Sequence, residues 1–252
     1  MENTERRFFL EIRYDGTAYH GWQIQENAIS VQQKLNEALQ KILRFPIETI
    51  GAGRTDTGVH AKQLFVHLDI PANSIQDENR FLHSLNALLP HDIAVDRVYP
   101  VPPEAHARFD ATERAYEYHV HFRKDPFLLN RSWQLRDIPD VELMNTAAQY
   151  LTGTQDFGCF SKAHTQVYTN ICTVTHAHWE KTDSGLIFHI RANRFLRNMV
   201  RAIVGTLLEI GIKKKDPTSI LDVIQSQDRS KAGTSVPAHG LYLTKVVYPY
   251  ID

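Results

Sequence analysis

The sequence has few of the features that mark a secreted or membrane-embedded protein. Only two of its 252 residues are cysteines, Cys159 and Cys172, which indicates a reducing compartment and argues against a disulfide framework. No apolar run reaches about 18 residues, the length that a membrane-spanning helix needs, and the N-terminal segment lacks the long apolar centre of a signal peptide. These absences predict a cytoplasmic protein without a membrane span. The length suits one large domain or two of ordinary size.

Two kinds of small-ligand site are also missing. The segment Gly51–Ala61, GAGRTDTGVHA, is rich in glycine, but it lacks the lysine of a phosphate-binding P-loop and the last glycine of the dinucleotide-binding fingerprint. The histidine pairs at positions 119 and 121 and at 176 and 178 could share a strand face, yet no cysteine or carboxylate completes a metal-binding set at a familiar spacing. We therefore expect neither a nucleotide cofactor nor a metal ion.

Acidic residues are absent from one long basic segment. The net charge of the chain is −1, which argues against a general binder of polyanions. Residues 184–208, however, contain no Asp or Glu but include Arg191, Arg194, Arg197 and Arg201. A helix that begins after Arg194 would place the last three arginines on one face. That face is either an ordinary solvated surface or a local anion-binding surface, and the missing carboxylates favour the second interpretation.

The order of predicted elements repeats once along the chain. Residues 8–101 fit the order β-α-β-β-α-β, and residues 114–248 repeat it after a proline-rich segment, Val98–Ala105, that we interpret as a linker. The pattern predicts an α+β fold of two ferredoxin-like halves with antiparallel sheets on either side of a central cleft. The N-terminal half comprises residues 1–104, and the C-terminal half comprises residues 105–252.

Local signals predict where several elements begin and end. Apolar spacing and a candidate N-cap at Ser30 predict a helix over residues 31–43. Pro90 should end a helix over residues 78–89. Helices are also expected over residues 141–151 and over residues 195–210, the latter with Gly211 as its C′ residue. Strands over residues 47–51 and 63–70 should lie on either side of the GAGRTDTGVHA segment.

Arg54 and Asp56 in that segment permit two interpretations. Asp and Gly are ordinary turn residues, so the segment can be a plain turn. Alternatively, the tight loop holds a carboxylate as a nucleophile or general base, which works best when it is ionised, desolvated and oriented by a cation. Arg54 and Arg201 are candidates for that cation, and Arg201 would place the site in a cleft between the halves. Such a site suits chemistry on a nucleobase that has been taken out of its stack.

Six segments distributed along the chain form a set of distinctive motifs. They are YDGTAYHGWQIQ (Tyr14–Gln25), GAGRTDTGVHA (Gly51–Ala61), LNALLPHDIAV (Leu85–Val95), AHARFDATERAYEYHV (Ala105–Val120), FLRNMVRAIVGTLLEIG (Phe195–Gly211) and VPAHGLYLTKVVY (Val236–Tyr248). In order and spacing these segments resemble the motifs of the TruA family of tRNA pseudouridine synthases, and the resemblance extends over nearly the whole chain.

The resemblance implies a role for five residues. Asp56 matches the catalytic aspartate of the family, which attacks the target nucleoside at C1′ or at the base. Arg54 matches an arginine that helps to displace the target base. Tyr116 matches a tyrosine that stacks on the base, and Arg201 matches an arginine that pairs with the catalytic carboxylate. Leu241 matches the apolar wall of the base pocket.

The resemblance also implies a substrate and an assembly. The substrate would be uridines of the tRNA anticodon stem-loop, at tRNA positions 38 to 40, and the protein would act as a homodimer without cofactor or metal. Arg194 and Arg197 would then contact the RNA backbone. Three alternatives are a non-catalytic RNA-binding module of the same fold, a phosphate-binding or hydrolytic enzyme, and a pseudouridine synthase for another RNA. The carboxylate facing a polyanion argues against the first, and the missing P-loop lysine and metal ligands argue against the second.

Overall fold

The computed structural model describes residues 5–162 and 168–251. Within these ranges the strands are β1 (Glu5–Tyr14), β2 (Ile50–Gly51), β3 (His60–Pro71), β4 (Ile93–Pro100), β5 (Glu113–His121), β6 (Trp133–Gln134), β7 (Gly153–Asp156), β8 (Ile171–Lys181), β9 (Gly185–Ala192) and β10 (Leu241–Val247). The helices are α1 (Val31–Leu43), α2 (Glu78–Leu88), α3 (Val141–Gln149), α4 (Met199–Gly211) and α5 (Ser219–Ser226). This composition confirms the predicted α+β class.

The chain divides into two compact units. The first is formed by Met1–Thr112 together with Leu243–Asp252, and the second by Glu113–Tyr242. The predicted division is after residue 104. The first unit extends eight residues beyond that point, to Thr112, and it also includes residues 243–247 of β10. None of the helices among the described residues combines the length and hydropathy that crossing a membrane would require.

The first unit is built on antiparallel strand pairs. Strand β1 pairs with β3 on one side and with β4 on the other, and β3 also pairs with the short β2 and with β10. Leu10 and Ile12 are fully buried on one face of β1, and Phe9 is fully buried on the other, so the middle of this strand is covered on both sides. This arrangement leaves β4 at an edge, where Pro100 can end the strand without breaking an internal ladder.

The two helices of the first unit follow their local signals. Helix α1 begins after Ser30, whose hydroxyl accepts a hydrogen bond from the backbone N–H of Gln33 at 3.2 Å, and its residues Val31, Leu35 and Leu39 are fully buried. Helix α2 ends at Leu88, two residues before Pro90. Both predicted helices are confirmed, with α2 one residue shorter at its end.

The second unit repeats the antiparallel pattern. Its strands follow the order β5-β9-β8-β7, and every neighbouring pair in that order is antiparallel, whereas the two-residue β6 pairs with β5 in parallel. Helix α4 is buried along most of its length, which makes it the central helix of this unit. The sequence analysis did not predict β6, β7 or α5.

The helix predicted over residues 195–210 begins later than expected. Helix α4 starts at Met199, because Asn198 before it adopts a left-handed conformation with a φ of 67°, which a right-handed helix cannot include. Arg194 and Arg197 therefore lie in an irregular segment before the helix, and only Arg201 is helical. The prediction that Arg194, Arg197 and Arg201 share one helix face is wrong.

Gly211 is not the C′ residue that we predicted. It is the last residue of α4, and the left-handed residue comes two positions later, at Lys213. A Cβ at Gly211 would come within 2.7 Å of the Pro139 side chain and 2.8 Å of Met144. Glycine is needed there because the segment around α3 packs closely against the end of α4.

Two other predicted boundaries change. The strand expected over residues 47–51 contains only Ile50 and Gly51. The segment Val98–Ala105, interpreted as a linker, contributes its first three residues to β4, where Tyr99 lies opposite Phe9 of β1. Proline-rich composition does not distinguish a linker from an edge strand, since both tolerate proline.

Candidate active site

Asp56 lies on a loop between β2 and β3 that is held at both ends. The Ala52 N–H donates to the Phe65 carbonyl at 2.8 Å, and the Val59 N–H donates to the Asp56 carbonyl at 3.1 Å. Thr55, immediately before Asp56, is buried, and its hydroxyl shares a 2.7 Å hydrogen bond with the Tyr14 hydroxyl. The Asp56 side chain is half-buried between these fixed points. A carboxylate is thus presented at a surface from a backbone with little freedom.

The motif Tyr14–Gln25 packs its backbone against this loop at two glycines. Gly21 has a φ of 87°, and a Cβ there would overlap the Thr55 carbonyl oxygen and come within 3.1 Å of the Asp56 carbonyl carbon. A Cβ at Gly16 would overlap the Val59 carbonyl oxygen. Two positions without a side chain therefore let one backbone segment contact the loop that carries Asp56 on both sides of this residue.

Backbone hydrogen bonds join the same two segments. The Trp22 N–H donates to the Thr55 carbonyl at 3.4 Å, and the Gly58 N–H donates to the Tyr19 carbonyl at 3.3 Å. The resemblance singled out Tyr14–Gln25 as a motif, but no local pattern in the sequence indicated this contact. Its physical role is to hold the loop that carries Asp56.

Side chains of the first unit support that contact. The ring of His60 is buried, and its Nδ1 accepts a hydrogen bond from the Gly16 N–H at 3.0 Å and lies 3.2 Å from an Asp15 carboxylate oxygen. The Tyr19 hydroxyl donates to the Asp92 carboxylate. Burial, together with that carboxylate, raises the pKa of Tyr19 well above its ordinary value, so the hydroxyl remains a donor. Sequence reasoning missed Asp15, Tyr19 and His60.

Arg54 is exposed two residues before Asp56. Its Nε donates to the side-chain oxygen of Gln23 at 3.2 Å. Because Gln23 belongs to the segment that packs on the loop, the guanidinium group lies along the surface formed by the two segments. This position leaves the group accessible to a polyanionic ligand.

Tyr116 of the second unit lies on β5, opposite Ile190 of β9. Its half-buried ring contacts the ring of Phe195 edge to face, with the centroids 5.0 Å apart and the planes at 85°. Edge-to-face contact of this kind fixes the orientation of an aromatic ring.

Arg201, in the first turn of α4, is oriented by a two-way contact with Val236. The Arg201 Nε donates to the Val236 carbonyl at 2.8 Å, and the Val236 N–H donates to the Arg201 carbonyl at 3.3 Å. The segment before Val236 is itself held, because Arg229 and Asn198 both donate to the Ser235 hydroxyl, at 2.8 and 2.6 Å. Sequence reasoning did not identify Arg229 or Asn198, which act on Arg201 through this segment.

Leu241 is buried, with 6% of its surface exposed, at the start of β10. Leu241 follows a short 3₁₀ helix, Ala238–Gly240. This helix lies next to the ring of Tyr118. The Tyr118 hydroxyl donates to the Pro237 carbonyl at 2.8 Å. Burial raises the pKa of Tyr118 far above its ordinary value, so the hydroxyl stays protonated in this contact. Leu241 is thus held in an apolar setting, and its role as a pocket wall stays a prediction.

The two arginines that were expected to contact RNA lie between β9 and α4. Arg197 is exposed and Arg194 is partly exposed, and the Arg197 carbonyl accepts a hydrogen bond from the Lys162 N–H at 3.0 Å. The structure thus places Arg54 and Asp56 in one loop of the first unit, and Tyr116, Arg194, Arg197, Arg201 and Leu241 in the second unit. Within residues 5–162 and 168–251, no three His, Cys, Asp or Glu side chains are grouped to hold a metal ion.

Comparison with known proteins resolves the family. A family model described as tRNA pseudouridine synthase matches residues 12–110 and 147–249. The chain belongs to the tRNA pseudouridine synthase family. The matched ranges contain the loop of Asp56 and also Arg201 and Leu241, whereas Tyr116 lies between them. This result confirms the resemblance that the six motifs indicated.

Individual members of the tRNA pseudouridine synthase family are similar over almost the full chain. The protein named tRNA pseudouridine synthase A of Porphyromonas gingivalis is 49% identical over 245 residues, which cover 96% of this chain and 97% of that protein. The enzyme of the same name from Bacteroides thetaiotaomicron is 51% identical and covers 97% and 91%. One from a Thermoanaerobacter species is 39% identical, with coverage of 96% and 100%.

Proposed function

We propose that this protein isomerises uridine to pseudouridine in the anticodon stem-loop of tRNA. The observation that carries the proposal is the Asp56 carboxylate, held half-buried on a backbone-restrained loop within the part of the chain that matches the family. Isomerisation changes no oxidation state, which is consistent with a chain that lacks nucleotide-binding fingerprints. The glycosidic N1–C1′ bond breaks, the uracil rotates, a C5–C1′ bond forms, and the C5 proton is lost as N1 gains one.

Asp56 acts as the nucleophile in this proposal. Its carboxylate adds either to C1′ or to the base, and both routes end in the same product. A covalent intermediate must be protected from water, and the buried neighbours of Asp56, Thr55 and Val59, support a dry setting on the protein side of the loop.

The other predicted residues have separate tasks. Arg54, exposed beside Gln23, holds the RNA from which the target base has been displaced. Tyr116, whose ring Phe195 orients by an edge-to-face contact, stacks on the base. Arg201 pairs with the catalytic carboxylate, and Leu241 excludes water from the base.

The finer structural predictions belong to the same proposal. We infer ferredoxin-like topology for both units, supported in the first by the antiparallel pairing of β1 with β3 and β4 and by β2 beside β3. We also propose that the enzyme works in the cytoplasm as a homodimer, with Arg194 and Arg197 on the RNA backbone.

Release of tritium from C5-labelled uridine in unmodified tRNA transcripts tests the activity. We expect release by the wild type and a loss of at least about 10³-fold in Asp56→Asn, because a nucleophile is essential to the step, while tRNA binding is retained. Asp183→Asn, which changes an exposed carboxylate in the turn between β8 and β9, should match the wild type.

Other outcomes would point to a different nucleophile, to a binding module or to a different RNA substrate. An active Asp56→Asn variant would remove the nucleophile assignment. A wild-type protein that binds tRNA but releases no tritium from any RNA would be a non-catalytic binding module. Release only from another class of RNA would identify a pseudouridine synthase with a different substrate.

A further inference from the structure

We propose that Arg108 and Phe109 form a docking tip that stacks on an unpaired nucleotide of the RNA substrate, away from the residues assigned to the reaction. This inference rests on the proposed function only in naming RNA as the partner. The tip belongs to the loop Ala105–Asp110 of the first unit, which none of the predicted site residues occupies.

The Phe109 side chain is displayed to solvent beside a cation. It is 71% exposed, and the Arg108 guanidinium carbon lies 5.5 Å from the centroid of its ring. A single exposed apolar side chain is common on proteins and needs no explanation by itself. The restraint on the backbone that carries this one separates it from ordinary surface residues.

Two histidine rings hold the tip by accepting three successive backbone hydrogen bonds. The Ala107 N–H donates to Nδ1 of His67 at 3.1 Å. The N–H groups of Arg108 and Phe109 both donate to Nδ1 of His106, at 3.1 and 3.3 Å. Desolvation lowers the pKa of His106 and lowers that of His67 to about 4, so both rings are neutral acceptors at neutral pH.

Further contacts close the loop around the tip. The Asp110 carboxylate accepts hydrogen bonds from the His106 N–H and the Tyr250 hydroxyl, both at 2.8 Å. The Tyr248 hydroxyl donates to the Ala107 carbonyl, and Arg7 donates to the Ala105 carbonyl at 2.9 Å. A tip fixed in this way loses little conformational freedom when a partner binds, which is how preorganisation raises affinity.

The chemistry of the tip favours a nucleotide. An exposed aromatic face stacks on any base, and a neighbouring guanidinium group adds a cation–π contact or a bond to phosphate. Two carboxylates that contact this part of the unit are already engaged: Asp110 as described, and Asp69 of β3 in a paired contact with Arg7 at 2.8 and 2.6 Å. Their charge is therefore partly offset where RNA would approach.

Substitutions of Phe109 separate stacking from simple apolar contact. We expect Phe109→Ala and Phe109→Leu to raise the Kd and KM for tRNA about tenfold, with kcat retained at saturating tRNA, because a stacked base is lost. Phe109→Trp should restore tight binding, since its ring can stack. Phe127→Ala is the matched control, because Phe127 is also exposed, at 84%, in the second unit, and it should bind as the wild type does.

Arg108→Ala tests the cation. The binding constant for tRNA should depend less steeply on salt than in the wild type. The magnitude of the slope of log K against log salt should decrease by about 1, as expected when one phosphate contact is lost. Circular dichroism and thermal unfolding should match the wild type for every Phe109 and Arg108 variant, because both side chains are outside the core.

Three results would overturn the proposal. Unchanged tRNA affinity in Phe109→Ala would do so, as would full rescue by Phe109→Leu. Sedimentation showing that Phe109→Ala dissociates an oligomer, while affinity per protomer is kept, would assign the tip to a second copy of this chain. A protein inactive in tritium release but with Phe109-dependent RNA affinity would contradict the proposed function and leave the docking tip standing.

Discussion

Replacing Gly21 by alanine should disable the enzyme without touching any residue that reacts. Gly21 has a φ of 87°, in a region that costs other residues about 1–2 kcal/mol. The new Cβ would also overlap the Thr55 carbonyl oxygen, which would have to move by about 1 Å to restore ordinary contact. Strain and overlap together should lower the free energy of unfolding by about 2–4 kcal/mol.

The larger effect should appear in kcat. Thr55 directly precedes Asp56, and a misplacement of about 1 Å can cost about 10²-fold in rate when a reacting group must be aligned. Single-turnover tritium release at saturating tRNA measures that step, and urea unfolding measures stability. We expect kcat to fall by about 10²-fold at a temperature where the variant remains folded.

Gly53→Ala is the control from the same loop. A Cβ at Gly53 would meet no heavy atom of the described residues within 4 Å beyond its chain neighbours, and Gly53 has no positive φ. Its replacement should therefore change stability by no more than about 0.5 kcal/mol and leave kcat unchanged. Equal losses of kcat in Gly21→Ala and Gly53→Ala would refute the reasoning. They would show that the loss does not depend on the contact between position 21 and Thr55. Wild-type kcat in a folded Gly21→Ala variant would refute it too.

Two further predictions concern charge and pH. Arg197→Glu should weaken tRNA binding more at low salt than at high salt, since exposed charges are screened; a salt-independent loss would contradict a backbone contact. The His67 pKa of about 4 lies below the unfolded value near 6.5, so stability is fully present above pH 6.5 and is lost as pH falls towards 4. Between pH 6.5 and 5, urea unfolding should show a loss of about 2 kcal/mol that His67→Gln lacks; equal losses in both proteins would contradict the assignment.

The sequence predicts a helix well when the ends of the helix are determined by residues nearby in the sequence. Ser30 caps α1 through a backbone N–H three residues away, and Pro90 follows the C-cap residue of α2, Leu89. Helix α4 was predicted four residues too early because its start depends on Asn198, whose side chain bonds to Ser235, 37 residues away. A single sequence carries no local signal for such a partner.

Gly211 shows the same limit at the other end of that helix. Glycine after an apolar repeat is the usual sign of a C′ residue, yet here it makes room for Pro139 and Met144. A glycine that lets another segment pack closely cannot be distinguished in sequence from a glycine that adopts a positive φ. The missing Cβ permits both.

The candidate site divides in a similar way. The motif match predicts Asp56, Arg54 and Arg201 as site residues from the residues themselves, whereas the groups that position such residues lie far away in the sequence. Gly21 contacts Thr55 from 34 positions earlier, and Arg229 supports Arg201 through Ser235 and Val236. Chemistry-bearing residues are recognisable one at a time, but their supports become visible only when the chain is folded.

The return of residues 243–252 to the first unit has a consequence for synthesis on the ribosome. The Val246 N–H donates to the Gln63 side chain across 183 positions of sequence, and β10 pairs with β3. At ordinary translation rates, roughly 10–40 s pass between the synthesis of β3 and that of β10. During this time one edge of β3 has no strand to pair with. The second unit is complete before the first, and this interval is when cotranslational chaperones would protect an open strand edge from intermolecular pairing.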